Sequence, residues 1–187
     1  MSTELSSHGF ILRELGDIKD FAAVAEYPIV ACDIKGVGAH FGTKYEGAHV
    51  ISEIRKRYPD KFIILYSAGL FGPQYKKYYD FCDICLAKDV GFDQWKDTLD
   101  DGVRTVGEPI RRWKRIRAVL LDANMPAFEV FLLEDAYIAS LIKKDESILS
   151  KALSRAEQAE STSEIIKSIS SGLITLVKTA TLLIKEP

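Results

Sequence analysis

Three short apolar runs, each closed by a polar residue, constrain this chain more than any other feature: "IVACD" (29–33), "FIILYSAG" (62–69) and "DICLAKD" (83–89). Continuous apolar runs of this length, without polar alternation, are what strands buried on both faces look like. Between the first two lies "EGAHVISEIRKRY" (46–58), with Val50, Ile51 and Ile54 on one helical face. "GPQYKKYYDF" follows the second run and "GFDQWKDTLDD" the third, and both read as helices. Strands alternating with helices at this spacing predict an α/β fold: a parallel sheet with helices on both faces. In such sheets the carboxyl ends of the strands form the crevice where ligands bind. Asp33, Ser67 and Lys88 stand at those ends. Taken singly, they read as a loop cap, a turn residue and a solvated strand end. Taken in order, they are a carboxylate, a hydroxyl and an ammonium on one edge. A carboxylate can attack phosphorus, and the other two groups can hold phosphoryl oxygens.

From "PIVACDIKG" through "EGAHVISEIRKRYPDKFIILYSAG" to "CLAKD" and "FDQWKDTL", over roughly residues 28–100, the chain resembles the receiver domain of two-component response regulators. The resemblance implies a flavodoxin-like sheet and Asp33 as phosphoacceptor. Ser67 and Lys88 would be the groups that contact the phosphoryl. It implies Mg2+ held beside Asp33, and a signal-transduction role exercised through phosphorylation-dependent or constitutive protein–protein contact rather than turnover. The family's acidic pair at the end of a preceding strand has no counterpart, since Glu14 and Asp17 are wrongly spaced for it. "GVGAHFGTKY" reads as an insertion beside the site, Leu86 stands at the family's aromatic switch position, and Asp89 stands where the family has proline. A chain with these departures fits a pseudo-receiver as well as a working one. "DIKGVG" is also similar to the opening motif of haloacid-dehalogenase-type phosphatases, which implies a hydrolase using Asp33. In that motif Lys35 occupies the place of the general acid.

Other features point to less. The net charge of −2 argues against a protein that binds nucleic acid by bulk charge. Cys82 and Cys85 form a CxxC, but zinc needs a second ligand pair. His8, His40 and His49 show no ligand spacing, and the GxG at Gly36–Gly38 lacks the full dinucleotide fingerprint. The first residues lack the basic and apolar regions of a signal peptide, so a cytoplasmic setting is the expectation. Residues 1–8 read as disordered and "FILREL" (10–15) as a short strand or a helix start. "DIKDFAAVAEY" (17–27) reads as a helix stopped by Pro28, and "GVRTV" (102–106) as a further strand.

The expected organisation is an α/β domain over residues 9–107 and a helical extension over 108–187. "PIRRWKRIRAVLLDANM" carries Arg111, Arg112, Lys114, Arg115 and Arg117 around Trp113 on a helix begun by proline. It reads as a solvated face, or as a patch for an acidic partner. In "PAFEVFLLEDAYIASLIKK" the candidate core positions are Phe128, Phe131, Leu132, Tyr137 and Leu141. "ESILSKALSRAEQAEST" is a more polar helix or a linker. In the last segment Ile166, Ile169, Leu173, Leu176, Ala180 and Leu183 follow alternating three- and four-residue steps, an a/d seam. Residues 162–185 are therefore expected to form a helix through which the chain self-associates into a homo-oligomer. Membrane-surface contact is a second reading, and Lys167 and Lys178 interrupt any spanning run. A β reading of "LITLVKTATLLI" rests on its Thr, Ile and Val content. The sequence names no upstream kinase and no downstream protein partner.

Overall fold

The computed structural model describes residues 2–68, 72–158 and 163–183. Strands β1 (Ile29–Asp33), β2 (Phe62–Ser67) and β3 (Ile84–Ala87) form a parallel sheet in the order β1-β2-β3. Asp33 pairs with Tyr66, and Ser67 with Ala87. Helices α1 (Ser2–Ser7), α2 (Glu46–Arg57) and α3 (Phe92–Gly107) accompany the sheet. Helices α4 (Pro109–Asp122), α5 (Ala127–Lys143), α6 (Glu146–Ala156) and α7 (Ser163–Leu183) follow. The chain divides into two compact units, residues 1–56 with 61–106, and residues 57–60 with 107–187.

In the first unit β2 is the central strand, and Phe62, Ile63, Ile64 and Leu65 are all buried. Alternation sends Phe62 and Ile64 to one face, where they cluster with Trp95, Leu99 and Val106 of α3. Cys32 turns to the other face, its Sγ 3.7 Å from the Gly47 carbonyl oxygen of α2. Two glycines permit these close approaches. A Cβ at Gly47 would lie 1.7 Å from the Asp33 carbonyl oxygen, and one at Gly102 would lie 2.9 Å from the Phe62 ring. Arg55, near the end of α2, fixes the strand entrances: Nη1 donates to the Lys61 carbonyl at 2.8 Å and Nη2 to Asp83 at 2.7 Å. The same Asp83 oxygen accepts the Ile63 N–H at 2.7 Å. Buried Lys61 donates to the carbonyls of Ala25 and Tyr27 at 2.8 and 2.7 Å.

Several local expectations differ from the structure. Residues 102–106 are not a strand: they extend α3, because Leu99, Gly102 and Val106 keep helical spacing against the sheet. Residues 17–27 hold only a 3-10 helix, Phe21–Val24, capped by Asp20, whose Oδ1 accepts the Ala22 N–H at 3.0 Å. Residues 10–15 take no regular structure. The segment 1–8 contains α1, whose Leu5 is buried in the same cluster as Phe62 and Leu86. Residues 73–81 form a 3-10 helix, Pro73–Phe81, rather than an α-helix.

The second unit is built on helices α4 to α7. Trp113, Ile116 and Leu120 of α4 share a core with Val130, Leu133 and Tyr137 of α5, Leu149 and Leu153 of α6, and Ile166, Ile169, Leu173 and Val177 of α7. Burying each such side chain contributes about 1.5–3 kcal/mol. The Trp113 and Tyr137 rings stack at 5.3 Å. Residues 174–183 are helix rather than strand. Within the seam, Ile166, Ile169 and Leu173 are enclosed by the chain's own helices, while the side chains of Leu176, Ala180 and Leu183 lie outside the described residues. The α5 expectation divides: Tyr137 is buried and Leu141 packs at the core's edge, but Phe128, Phe131 and Leu132 face out. Arg112 is the exception to the solvated reading of α4, for it is buried in an ion pair with buried Asp60. That pair rests against α7 at Gly172, where a Cβ would stand 2.5 Å from Arg112 Nη2. Among the described residues no helix is long and apolar enough to cross a membrane.

Candidate functional site

The carboxyl edge of the sheet brings two of the three strand-end residues together. Asp33, the last residue of β1, accepts a hydrogen bond on Oδ2 from Lys88 Nζ, the first residue beyond β3. Its other oxygen, Oδ1, accepts the Lys35 N–H at 3.2 Å. β1 and β3 are the two outer strands, so the pair reaches across the whole width of the sheet. Adjacent strands lie about 4.8 Å apart, so the pair spans two such gaps, roughly 10 Å, which the length of the lysine side chain makes possible. The Lys88 ammonium passes 5.5 Å from the Tyr66 ring centroid on the way. The Asp33 side chain is 16% exposed and that of Lys88 41%, so the cation is the more solvated partner. The hydrogen bond that Lys88 donates to Asp33 raises the Lys88 pKa and keeps the amine charged.

Tyr66 is the site residue that sequence reasoning misses. Register pairs it with Asp33, and its ring forms the floor between Asp33 and Lys88, edge-on to Trp95 at 5.5 Å. Burial, then the Asp33 charge, raises its phenol pKa, so it stays protonated. Its signal was available: it is the aromatic residue immediately before Ser67 in "YSAG". Ser67 ends the middle strand one residue on. Its side chain is buried, and its carbonyl accepts the Lys88 N–H at 2.7 Å, which anchors Lys88 beside β2. By strand alternation its side chain belongs to the pleat opposite Tyr66.

The loop after β1 is held shut by carboxylates. Asp17 accepts from the N–H groups of Gly38 and Ala39, the latter at 3.0 Å, and Glu46 Oε2 accepts the Gly36 N–H at 2.9 Å. Gly36 and Gly38 have φ of 79° and 82°, the left-handed region in which backbone N–H groups can cradle an anion. Here the protein's own acids fill that cradle. Asp17 therefore does loop-closing work rather than standing in a strand-end acidic pair. Both oxygens of Asp33 are engaged, and no group of three or more His, Cys, Asp or Glu among the described residues could hold a metal ion. Lys35 is exposed. Cys82 and Cys85 bring their sulfurs to 3.1 Å, away from this edge at the start of β3.

No family model matches the sequence, and no curated protein matches it. A solved structure that the chain is similar to is the crystal structure of a response regulator protein from Burkholderia pseudomallei with a phosphorylated aspartic acid, calcium ion and citrate. The two share 17% identity with a TM-score of 0.42, over 66% of this chain and 76% of that one.

Proposed function

We propose that the chain is a receiver-like signalling module in which Asp33 is the phosphoacceptor and the helical unit passes the signal on by protein–protein contact. The observation that carries this reading is the Asp33–Lys88 pair at the carboxyl edge of a parallel sheet. A carboxylate held there, with an ammonium beside it, is arranged for phosphoryl transfer to the carboxylate. An Asp33 oxygen forms a bond to phosphorus as the donor's leaving group departs with its electron pair, and no proton need move. Lys88 then shifts from the carboxylate to the new phosphoryl oxygens, replacing one ion pair by another. Ser67 ends the middle strand with its side chain on the opposite pleat, so it is given no part in holding the phosphoryl. No step is assigned to magnesium.

Intact mass spectrometry after incubation with acetyl phosphate, with and without magnesium, tests the reading. The expected result is a single phosphoryl adduct that is absent from Asp33→Asn and reduced in Lys88→Ala. No adduct under either condition refutes Asp33 as phosphoacceptor. Steady release of phosphate from simple phosphate esters, lost in Asp33→Asn, would make the chain a hydrolase instead.

A further inference from the structure

Helix α5 is apolar on two sides, and only one of them meets the core. Val130, Leu133, Ala136 and Tyr137 are buried. Phe128, Phe131, Leu132, Ile138 and Ile142 are 67%, 60%, 44%, 46% and 75% exposed. At 100° per residue these five fall within one stripe about 120° wide. The neighbouring face of α4 continues it with Ile110 and Leu121, 71% and 41% exposed. A phenylalanine presents about 200 Å², so the whole face leaves roughly 600 Å² of apolar surface open. That is the upper end of what monomers tolerate.

The charges on this face tell what fits it. α4 and α5 run antiparallel through a short turn, and a cleft of about 140 Å³ between them is lined by Ile110, Lys114 and Arg117 on one side and by Glu134, Ile138 and Leu141 on the other. Read along the helices, both ends are apolar: Leu121 with Phe128 and Phe131, and Ile110 with Ile138 and Ile142. The middle is charged, basic on α4 (Lys114, Arg117) and acidic on α5 (Glu134, Asp135), and within the chain only a long ion pair, Arg117 Nη1 to Glu134 Oε2 at 4.0 Å, is seen between these four among the described residues. A two-fold axis parallel to the helices lays α4 on the partner's α5 and α5 on the partner's α4. Each basic strip then meets an acidic strip, and each apolar end meets an apolar end. A surface that complements itself under a two-fold rotation is what an isologous dimer requires. With the charged strip included, its area approaches the ~800 Å² per partner of a standard interface.

We propose that the α4–α5 face docks a second copy of this chain, forming a two-fold dimer with a four-helix interface. The dimer does not depend on phosphorylation of Asp33. Light scattering after size exclusion of the full chain should show a dimer. Lys114→Glu with Arg117→Glu sets acid against acid, and Glu134→Lys with Asp135→Lys sets base against base. Each double variant alone should run as a monomer, with dimer affinity reduced at least about 100-fold. An equimolar mixture of the two should run as a heterodimer, because both half-interfaces are again complementary. All four positions are at the surface, and a cooperative unfolding transition in each variant verifies the fold. A monomeric wild type, a dimer that survives both double variants, or a mixture that stays monomeric would each overturn the proposal.

Discussion

Replacing Gly47 with alanine should damage the α/β unit, although alanine is the better helix former. Gly47 lies in the first turn of α2 and donates its N–H to the Ile34 carbonyl at 3.0 Å. A Cβ there would stand 1.7 Å from the Asp33 carbonyl oxygen. Carbon–oxygen contacts settle no closer than about 3.3 Å, so helix and strand end must separate by roughly 1.6 Å. The obstacle is backbone on both sides, and no side chain can rotate out of the way. A shift of that size breaks the Gly47–Ile34 hydrogen bond, a loss of about 1 kcal/mol. It also lifts Val50, Ile51 and Ile54, all buried, off the sheet. Overpacking of this kind costs about 1–3 kcal/mol, and a rigid obstacle puts it at the upper end. Alanine's helix propensity returns about 1 kcal/mol. The net expectation is a destabilisation of about 3 kcal/mol, measured by urea denaturation with an unchanged m-value. Gly16→Ala, with no atom within 4 Å of its Cβ, serves as the control and should stay within about 0.5 kcal/mol of wild type. A loss below about 1 kcal/mol for Gly47→Ala would show that α2 does not rest on β1 as described.

Two further expectations follow from buried polar groups. Asp60→Ala leaves the Arg112 guanidinium buried without its anion, which should destabilise the helical unit by about 3–5 kcal/mol, whereas adding Arg112→Met should recover most of that loss; denaturation followed by circular dichroism reads both. Burial first, then the charges of Asp33 and Asp17, pushes the Cys32 thiol from the ordinary 9.0 up to about 12. The folded form thus keeps a proton that the unfolded form releases above pH 9. The contribution is whole below pH 9 and falls by about 1.4 kcal/mol per pH unit up to pH 12. Urea midpoints at pH 8, 9.5 and 10.5 should decline more steeply for wild type than for Cys32→Ala, and parallel declines would contradict the burial.

The sheet was legible because parallel strands seat apolar residues until they end; only β2 is covered on both faces, while β1 leaves Ala31 exposed and β3 leaves Cys85 exposed. "IVACD" and "FIIL" therefore announce both the strand and its terminus, and with it Asp33. Tyr66 was not legible, because an aromatic residue in a strand looks the same whether it fills a core or floors a site. Its role comes from the register Asp33–Tyr66, a pairing between segments far apart in the chain. The loop-closing part of Asp17 was hidden for the same reason: its partners, Gly38 and Ala39, lie on a distant loop. Residues 102–106 mislead through their Val and Thr content, which local propensity reads as strand, while their contacts with the sheet hold them helical. In α5 the pattern showed apolar residues on two sides but could not say which side the core would take. Phe128 and Phe131 are larger than Val130 and Ala136, yet the smaller residues face inward.

The Asp33–Lys88 pair also ties the site to the way the first unit assembles. Its members are 55 residues apart in sequence and come from opposite margins of the sheet. They meet only after two crossover connections have closed and β2 has taken its register with both neighbours. Such long closures are among the slow, entropically costly events of folding. The acidic and basic partners are thus kept apart until the last strand docks, and a one-residue slip of either margin withdraws one of them. The ion pair accordingly acts as a proofreading contact, completed only by a correctly ordered sheet.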